Sequence, residues 1–106
     1  MTEKQYGIIG KPLSHSLSPA LHNYWFKKNN INANYSLIEI ENEQIKDVID
    51  KIRVKELSGI NVTVPYKQKV IPYLDLIIND ASETSSVNTI YLNNENKIVG
   101  ENTDVY

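Results

Sequence analysis

The spacing of hydrophobic residues changes several times along the chain, and these changes predict alternating strands and helices. Short apolar or β-branched runs at 6–10, 35–40 and 57–64 predict three strands. Two intervening segments, which begin at Ser18 and Asn42, predict helices because a capping residue precedes apolar positions at helical spacing. This alternation is typical of parallel strand–helix–strand units.

Each predicted helix carries an apolar stripe. In the first helix the stripe has three apolar side chains and a lysine at its far end, namely Leu21, Tyr24, Trp25 and Lys28. In the second helix it consists of branched aliphatic side chains, namely Ile45, Val48, Ile49 and Ile52. Both stripes predict amphipathic helices, which pack by their apolar face.

A further short helical stretch is predicted after the third strand. It begins at Tyr66 and is interrupted near Pro72. Its buried side is predicted to consist of Leu74, Ile77 and Ile78. Residues 80–86 are small and polar, which indicates a loop or a frayed helix end.

The last part of the chain predicts a hairpin, because two β-rich segments at 87–92 and 97–100 flank the polar residues 93–96. The hairpin adds an antiparallel element to the parallel units. The predicted fold is therefore α/β: a three-layer α/β/α domain with a mostly parallel mixed sheet and one antiparallel strand. The chain has 106 residues, which is enough for one domain with a core, so we predict a single domain over 1–106.

Charge and composition narrow the function classes. The net charge is −2 with acidic and basic residues interspersed, so the electrostatic footprint of a nucleic-acid or anionic-membrane partner is lacking. The chain has no cysteine, which excludes disulfides, thiolate metal sites and cysteine catalysis. No signal peptide and no apolar run of membrane-spanning length is visible, so we expect a cytoplasmic protein. The sequence does not predict the oligomeric state.

The segment Asn61-Val-Thr-Val-Pro-Tyr-Lys67 ends the third predicted strand with polar groups. Pro65 stops the strand, and Asn61, Thr63 and Lys67 place hydrogen-bonding groups near its carboxyl end, where ligands bind in open α/β sheets. Partial burial would lower the pKa of Lys67 from about 10.4 and suit it to proton transfer, whereas a neighbouring carboxylate would keep it charged. A solvated surface lysine is the third alternative.

The segment Ser14-His-Ser-Leu-Ser-Pro19 places three hydroxyl groups directly before a predicted helix. Free backbone N–H groups and the helix dipole make such an amino terminus an anion site, to which serine hydroxyls add donors. The segment therefore predicts a site for a carboxylate or a phosphate. The alternative is that Ser18 only caps the helix and that the other two serines are loop residues.

Two further polar residues lie in or after predicted strands. Asn88 lies among apolar and β-branched neighbours, where a half-buried amide needs hydrogen-bond partners, and Asp104 follows the last strand. A structural hydrogen bond and a helix cap are their respective alternatives.

His15 and His22 lack metal-ligand spacing, so no metal site is predicted. The glycines within 7–10 lack the rest of a dinucleotide fingerprint, so no cofactor site is predicted within the chain.

Four segments together resemble the shikimate dehydrogenase family, specifically its amino-terminal substrate-binding domain. They occur in the family's order and spacing and span nearly the whole chain. The segments are Gly10-Lys-Pro-Leu-Ser-His-Ser-Leu-Ser-Pro19, Gly59-Ile-Asn-Val-Thr-Val-Pro-Tyr-Lys67, Ser86-Val-Asn-Thr89 and Gly100-Glu-Asn-Thr-Asp104.

The resemblance implies an activity, a cofactor and a set of site residues. Enzymes of the family reduce 3-dehydroshikimate to shikimate with NADPH, in the chorismate pathway to aromatic amino acids. By their match to family positions, Ser16 and Ser18 would bind the substrate carboxylate. Lys67 and Asp104 would be the catalytic pair, in which Lys67 gives a proton to the forming C3 alkoxide, or stabilises it, and Asp104 orients Lys67 and the substrate hydroxyl. The residues that would hydrogen-bond the ring hydroxyls are Asn61, Thr63, Asn88 and Asp104.

The chain departs from the family pattern in two ways. Val105 stands where the family often has glycine, and the family's Rossmann domain with the NADP fingerprint and a late substrate-binding glutamine are absent from this sequence. We therefore expect a piece of a larger protein that binds substrate and does not turn it over alone, with NADP bound by a second domain. Two alternatives stay open: a stand-alone small-carboxylate binding or regulatory module, and a relative that prefers quinate.

Overall fold

Six strands and two α-helices form in the part of the chain that the structure describes. The computed structural model describes residues 4–11, 18–79 and 86–102, with the backbone alone for 18–21 and 79. In chain order the elements are β1 (Lys4–Gly10), α1 (Ser18–Lys28), β2 (Ala33–Glu39), α2 (Ile45–Arg53), β3 (Gly59–Val62), β4 (Leu76–Asn79), β5 (Thr89–Leu92) and β6 (Ile98–Asn102). Short 3₁₀ turns lie at Asn42–Gln44 and Ile71–Tyr73. Neither α-helix of these ranges combines the length and the apolar character that crossing a membrane requires.

The strands form one mixed six-stranded sheet in the order β2-β1-β3-β5-β6-β4. β1 pairs in parallel with β2 and β3, and β4 pairs in parallel with β6. β5 is antiparallel to both β3 and β6, so within the described ranges it is the single strand that runs against the others. The predicted mostly parallel mixed sheet with one antiparallel strand is therefore confirmed.

The two α-helices lie on opposite faces of the sheet. Because successive residues of a strand point to opposite faces, the paired residues Tyr6 and Tyr35 share one face, whereas Ile60, which pairs with Gly7, lies on the other. Phe26 of α1 packs against the Tyr6 ring, with the ring centroids 5.9 Å apart. The buried side chains of α2 belong to the same apolar cluster as Ile60. The predicted three-layer α/β/α architecture is confirmed.

A continuous apolar core fills the space between α2 and the sheet. The predicted stripe of α2 is buried in full, at Ile45, Val48, Ile49 and Ile52. These side chains cluster with buried strand residues that include Ile9, Ile60, Val62, Ile90 and Ile98. The amphipathic prediction for this helix is confirmed, because a regular stripe of branched aliphatic side chains has only one stable place to pack.

The apolar face predicted for α1 is wrong. Tyr24 and Trp25 are 65% and 57% exposed, and Lys28 is exposed as well. Leu21 lies where only the backbone is described. The side chains that turn toward the sheet are His22, Asn23 and Phe26. This face packs inward because Asn23 hydrogen-bonds the backbone of β2. The spacing of apolar residues cannot predict such a polar contact.

The helical stretch predicted after the third strand is also wrong. The chain forms the 3₁₀ turn at Ile71–Tyr73, and Leu76–Asn79 is strand β4, paired in parallel with β6. The proline within the turn prevents a helix from continuing, and two successive isoleucines then favour a strand. Of the side chains predicted to be buried, Leu74 and Ile77 pack against the core, whereas Ile78 is exposed.

The predicted hairpin between 87–92 and 97–100 forms between β5 and β6. The Asn93 N–H donates to the Lys97 carbonyl oxygen at 2.9 Å. Asn93 Oδ1 in turn accepts hydrogen bonds from the N–H groups of Glu95 and Lys97. Asn96 has a φ of 61°, a left-handed conformation that asparagine tolerates better than most residues. The turn chemistry is thus supplied by the asparagines that predicted it.

The core contact between α2 and the sheet can be tested at Ile52, which is fully buried. We expect Ile52→Ala to lower the free energy of unfolding by about 2–5 kcal/mol, because it removes buried methyl groups and leaves a cavity. Val54→Ala, at an exposed position two residues away, should change it by less than about 0.5 kcal/mol. Denaturant unfolding of the three proteins measures both differences. Equal losses in the two variants would contradict this packing.

Candidate functional site

Several strands end, and helix α1 begins, at one edge of the sheet, which we call the carboxyl edge. β1, β3 and β6 end there, at Gly10, Val62 and Asn102. Because β5 runs the other way, it begins at this edge with Thr89. α1 connects the parallel strands β1 and β2, so it also begins at this edge, with Ser18. Strand ends and a helix amino terminus therefore meet where ligands bind in α/β sheets.

The structure describes some of the predicted site residues and not others. Those described with their side chains are Asn61, Thr63, Lys67 and Asn88. Ser18 is described by its backbone, as the first residue of α1. Ser16 and Asp104 lie outside the described residues, and Asp104 is two residues beyond the end of β6. The roles of these two residues stay predictions.

Asn61 is the centre of a hydrogen-bond network on the face of the sheet that α1 covers. The Tyr35 hydroxyl donates to Asn61 Oδ1 at 2.7 Å. Asn61 Nδ2 lies 3.4 Å from both the Asn88 carbonyl oxygen and Thr89 Oγ1. The Thr89 hydroxyl donates to Asn88 Oδ1 at 3.0 Å. We call these four residues the Asn61 network; it joins Asn61 and Asn88, two predicted site residues that are 27 positions apart.

The backbone of Asn88 is fixed from both sides. Its carbonyl oxygen accepts the Val62 N–H at 2.8 Å, and its own N–H donates to the Glu101 carbonyl oxygen at 3.0 Å. Asn88 is 8% exposed, and the Thr89 hydroxyl supplies a hydrogen bond that a buried amide requires. Asn88 therefore has a structural role in the sheet whatever else it binds.

A turn after β3 keeps Thr63 at the carboxyl edge. The Thr63 N–H donates to the Ile9 carbonyl oxygen at 2.9 Å, and the Lys11 N–H donates to the Val64 carbonyl oxygen at 3.1 Å. The chain after β3 thus stays hydrogen-bonded to the end of β1. The Tyr66 N–H then donates to the Thr63 carbonyl oxygen at 3.0 Å and closes the turn. Thr63 is half-buried as a result.

Lys67 is half-buried beside the entry to β5. Its carbonyl oxygen accepts the Val87 N–H at 2.8 Å, which places Lys67 next to the segment that carries Asn88. The residue borders a hollow of about 250 Å³, which is also lined by Val64, Pro65, Gln68, Lys69 and Ser86. Partial burial distinguishes Lys67 from its neighbour Lys69, which is exposed and donates to Asn42 Oδ1.

Two groups, one in the Asn61 network and one at the carboxyl edge, have shifted pKa values. Burial raises the pKa of Tyr35 to about 12, so its hydroxyl is neutral and can donate near pH 7. The Lys11 ammonium pairs with the Glu41 carboxylate, and this hydrogen bond and charge raise the pKa of Lys11. The charge of Lys11 is therefore already balanced at the β1 end of the edge.

No sequence signal assigned a role to Tyr35 or Thr89. Tyr35 lies 26 positions from Asn61, and its hydroxyl reaches across β1 to meet that residue. A contact across an intervening strand produces no characteristic interval between residues in the sequence. The only available signal was a tyrosine inside a predicted strand, because a buried tyrosine hydroxyl needs a partner.

These groups suit a small polar ligand. The amides of Asn61 and Asn88 and the hydroxyl of Thr63 match ligand hydroxyl or carbonyl oxygens. The amino terminus of α1 favours an anion. The Lys67 ammonium can give a proton to an oxygen that becomes negatively charged. The combination fits a small ligand that carries both an anionic group and hydroxyl or carbonyl oxygens.

Known proteins are similar to this chain in sequence. The family model described as the shikimate dehydrogenase substrate binding domain matches residues 8–90. The chain is 48% identical over 103 residues to a protein of Pelagibacter ubique and 50% identical over 101 residues to one of Clostridium beijerinckii, both named shikimate dehydrogenase (NADP(+)). These matches cover 97% and 95% of this chain but 38% and 37% of the relatives.

A solved structure shares the fold. The crystal structure of shikimate 5-dehydrogenase from Listeria monocytogenes in complex with shikimate and NAD matches with a TM-score of 0.88 and 33% identity. The match covers 96% of this chain and 35% of that chain. This chain therefore spans little more than a third of the length of the proteins that it matches.

The Asn61 network can be tested by its contribution to stability. We expect Asn61→Ala to lower the free energy of unfolding by about 1–3 kcal/mol, because it leaves the buried Tyr35 hydroxyl without its acceptor. Asn94→Ala removes the same amide from an exposed hairpin position and should change it by less than about 0.5 kcal/mol. Denaturant unfolding gives both values. The network is wrong if Asn61→Ala is as stable as Asn94→Ala.

Proposed function

Because the chain belongs to the shikimate dehydrogenase family, through its substrate-binding domain, we propose that it is the substrate-binding part of an NADP-dependent shikimate dehydrogenase. Such an enzyme interconverts 3-dehydroshikimate and shikimate, with NADPH as the reductant toward shikimate. The observation that carries the proposal is the Asn61 network, which gathers two predicted site amides at the carboxyl edge. Amides at this position can recognise the hydroxyl and carbonyl oxygens on the substrate's ring.

In this proposal, residues 1–106 form one substrate-binding domain and NADP is bound by a second domain outside it. The relatives named for NADP(+) support this division, since the chain covers only 38% and 37% of their length. The glycines within 7–10 do not form a dinucleotide fingerprint, which also supports it. Cytoplasmic localisation and the expected lack of nucleic-acid and membrane partners stay predictions from the sequence.

The substrate contacts two parts of the carboxyl edge, the amino terminus of α1 and the ends of the strands. Its carboxylate binds at the amino terminus of α1, where free N–H groups and the helix dipole favour negative charge and where Ser16 and Ser18 add hydroxyl donors. Its ring hydroxyls bind the strand-end groups, namely Asn61, Thr63, Asn88 and Asp104. The meeting of strand ends and helix start at one edge supports this placement.

Lys67 and Asp104 carry the proton chemistry. Reduction of the C3 carbonyl needs a hydride, which NADPH supplies as it becomes NADP⁺, and a proton for the oxygen. Lys67 donates that proton to the oxygen that becomes an alkoxide, so that C=O becomes CH–OH, and it takes the proton back in oxidation. Asp104 orients Lys67 and the substrate hydroxyl. The half-buried position of Lys67 beside the Asn88 segment supports its role.

A chimaeric protein tests this proposal. It joins this chain to the part of the Clostridium beijerinckii relative that the chain does not match. We expect the chimaera to oxidise shikimate with NADP⁺, measured by NADPH absorbance. Lys67→Ala should lower kcat by about 10²–10⁴-fold with a smaller change in KM, because the lost group acts on a proton in the transition state. Lys97→Ala, a matched change at an exposed position of the β5–β6 hairpin, should alter neither constant.

The outcomes of this experiment separate the alternatives. A folded chimaera that binds shikimate and NADP⁺ but shows no turnover would contradict the proposed enzyme and favour a small-carboxylate binding module. A higher kcat/KM for quinate than for shikimate would favour a quinate-preferring enzyme. An undiminished kcat in Lys67→Ala would contradict the role given to Lys67 and would not contradict the proposed enzyme.

A further inference from the structure

Tyr35 is held at three points, two of which involve α1. Its carbonyl oxygen accepts a hydrogen bond from Asn23 Nδ2 at 2.9 Å, and its N–H donates to Asn23 Oδ1 at 2.8 Å. Its ring stacks on His22, with the ring centroids 4.2 Å apart and the planes 11° from parallel. Its hydroxyl donates to Asn61 Oδ1 at 2.7 Å. Tyr35 is only 5% exposed, so these contacts fix it inside the fold.

We propose that Tyr35 is a positioning residue of the substrate site. Its hydroxyl sets the orientation of the Asn61 amide, and its backbone and ring set the position of α1 relative to Asn61. Tyr35 thus acts on the substrate through Asn61 and α1. This inference rests on the proposed function, because it names the residue that aligns two halves of the same site.

Hydrogen-bond chemistry fixes which end of the Asn61 amide faces the ligand. The Asn88 carbonyl oxygen can only accept, so Asn61 must turn its Nδ2 donor toward it and its Oδ1 toward Tyr35. The bond to Oδ1 is short at 2.7 Å, whereas both bonds of Nδ2 are long at 3.4 Å. A ligand oxygen therefore recruits Nδ2 at little cost, while Oδ1 stays bound to Tyr35. Asn61 acts as a hydrogen-bond donor to a ligand hydroxyl.

The remaining contacts of Tyr35 join this amide to the anion-binding half of the site. His22 and Asn23 lie one turn into α1, close to the amino terminus that receives the substrate carboxylate. Both contact Tyr35, whose hydroxyl reaches across β1 to β3. Tyr35 thus links the carboxylate site to the hydroxyl site, by its backbone and ring to α1 and by its hydroxyl to Asn61. Small errors in the spacing of the two sites weaken recognition, because a rigid ligand must meet both halves at once.

The test compares Tyr35→Phe with the unchanged chain for two ligands. Shikimate has the carboxylate and the ring hydroxyls, whereas cyclohex-1-ene-1-carboxylate has the same ring and carboxylate without hydroxyls. Phenylalanine keeps the ring for His22 and the backbone for Asn23 and removes only the hydroxyl. We expect the affinity for shikimate to fall about threefold to tenfold, because one buried hydrogen bond that orients a donor is lost. The affinity for the second ligand should not change. NMR titration of the chain measures both.

Two matched variants separate positioning from a general loss of structure. Tyr24→Phe removes a hydroxyl from an exposed tyrosine of α1 and should change neither affinity. Thr89→Val breaks the Asn61 network at its other end and keeps a β-branched side chain in the strand. It should weaken shikimate binding in the same selective way. If Tyr35→Phe does not fold, undiminished affinity of Thr89→Val for shikimate would overturn the Asn61 network, through which Tyr35 acts, as the element that orients the amide.

The inference and the proposed function fail in different ways. Equal weakening of both ligands by Tyr35→Phe, or undiminished affinity for shikimate, would overturn the positioning role and leave the proposed function intact. If the unchanged chain does not bind shikimate, the proposed function fails instead. The Asn61 side-chain amide resonances of the ligand-free proteins then decide the positioning role. We expect Tyr35→Phe to shift them, and unshifted resonances would overturn the role.

Discussion

Strand β3 has only four residues, yet it is hydrogen-bonded in parallel to β1 on one side and antiparallel to β5 on the other. This double pairing fixes its register, with Asn61 opposite both Ile8 and Thr89. A slip of one residue would turn Asn61 into the apolar core and bring Ile60 or Val62 to the α1 face. The position of the candidate site therefore follows from backbone pairing at the centre of the sheet.

The same pairing explains how the sheet accommodates an amide between apolar neighbours. A buried polar group costs free energy unless it is hydrogen-bonded. Asn61 obtains partners from Tyr35 in β2, from Thr89 in β5 and from Asn88, which precedes β5. Within the described residues, no buried side-chain nitrogen or oxygen lacks a partner. The network that stabilises the sheet is thus the one we propose to orient the substrate, so stability and binding are coupled at these positions.

Local patterns predicted most of the sheet, the α2 face and the hairpin, because each depends on residues close together in the chain. The errors arose where residues distant in the chain determine the local structure. Leu76–Asn79 is a strand because it pairs with β6, and α1 turns Asn23 inward because β2 offers its backbone. Asn61 and Asn88 could be predicted as polar residues at strand ends. Tyr35 could not, because its contact with Asn61 crosses another strand.

A neutron crystal structure of this chain with bound shikimate tests the central claim most directly, since the deuterium positions show which end of the Asn61 amide meets the ligand. We predict the oxygen of a ring hydroxyl group about 3 Å from Asn61 Nδ2, the usual length of such a hydrogen bond. We also predict the carboxylate at the amino terminus of α1 and the Tyr35 hydroxyl still on Asn61 Oδ1. Shikimate bound away from the carboxyl edge, or an Asn61 amide turned with Oδ1 toward the ligand, would contradict this account.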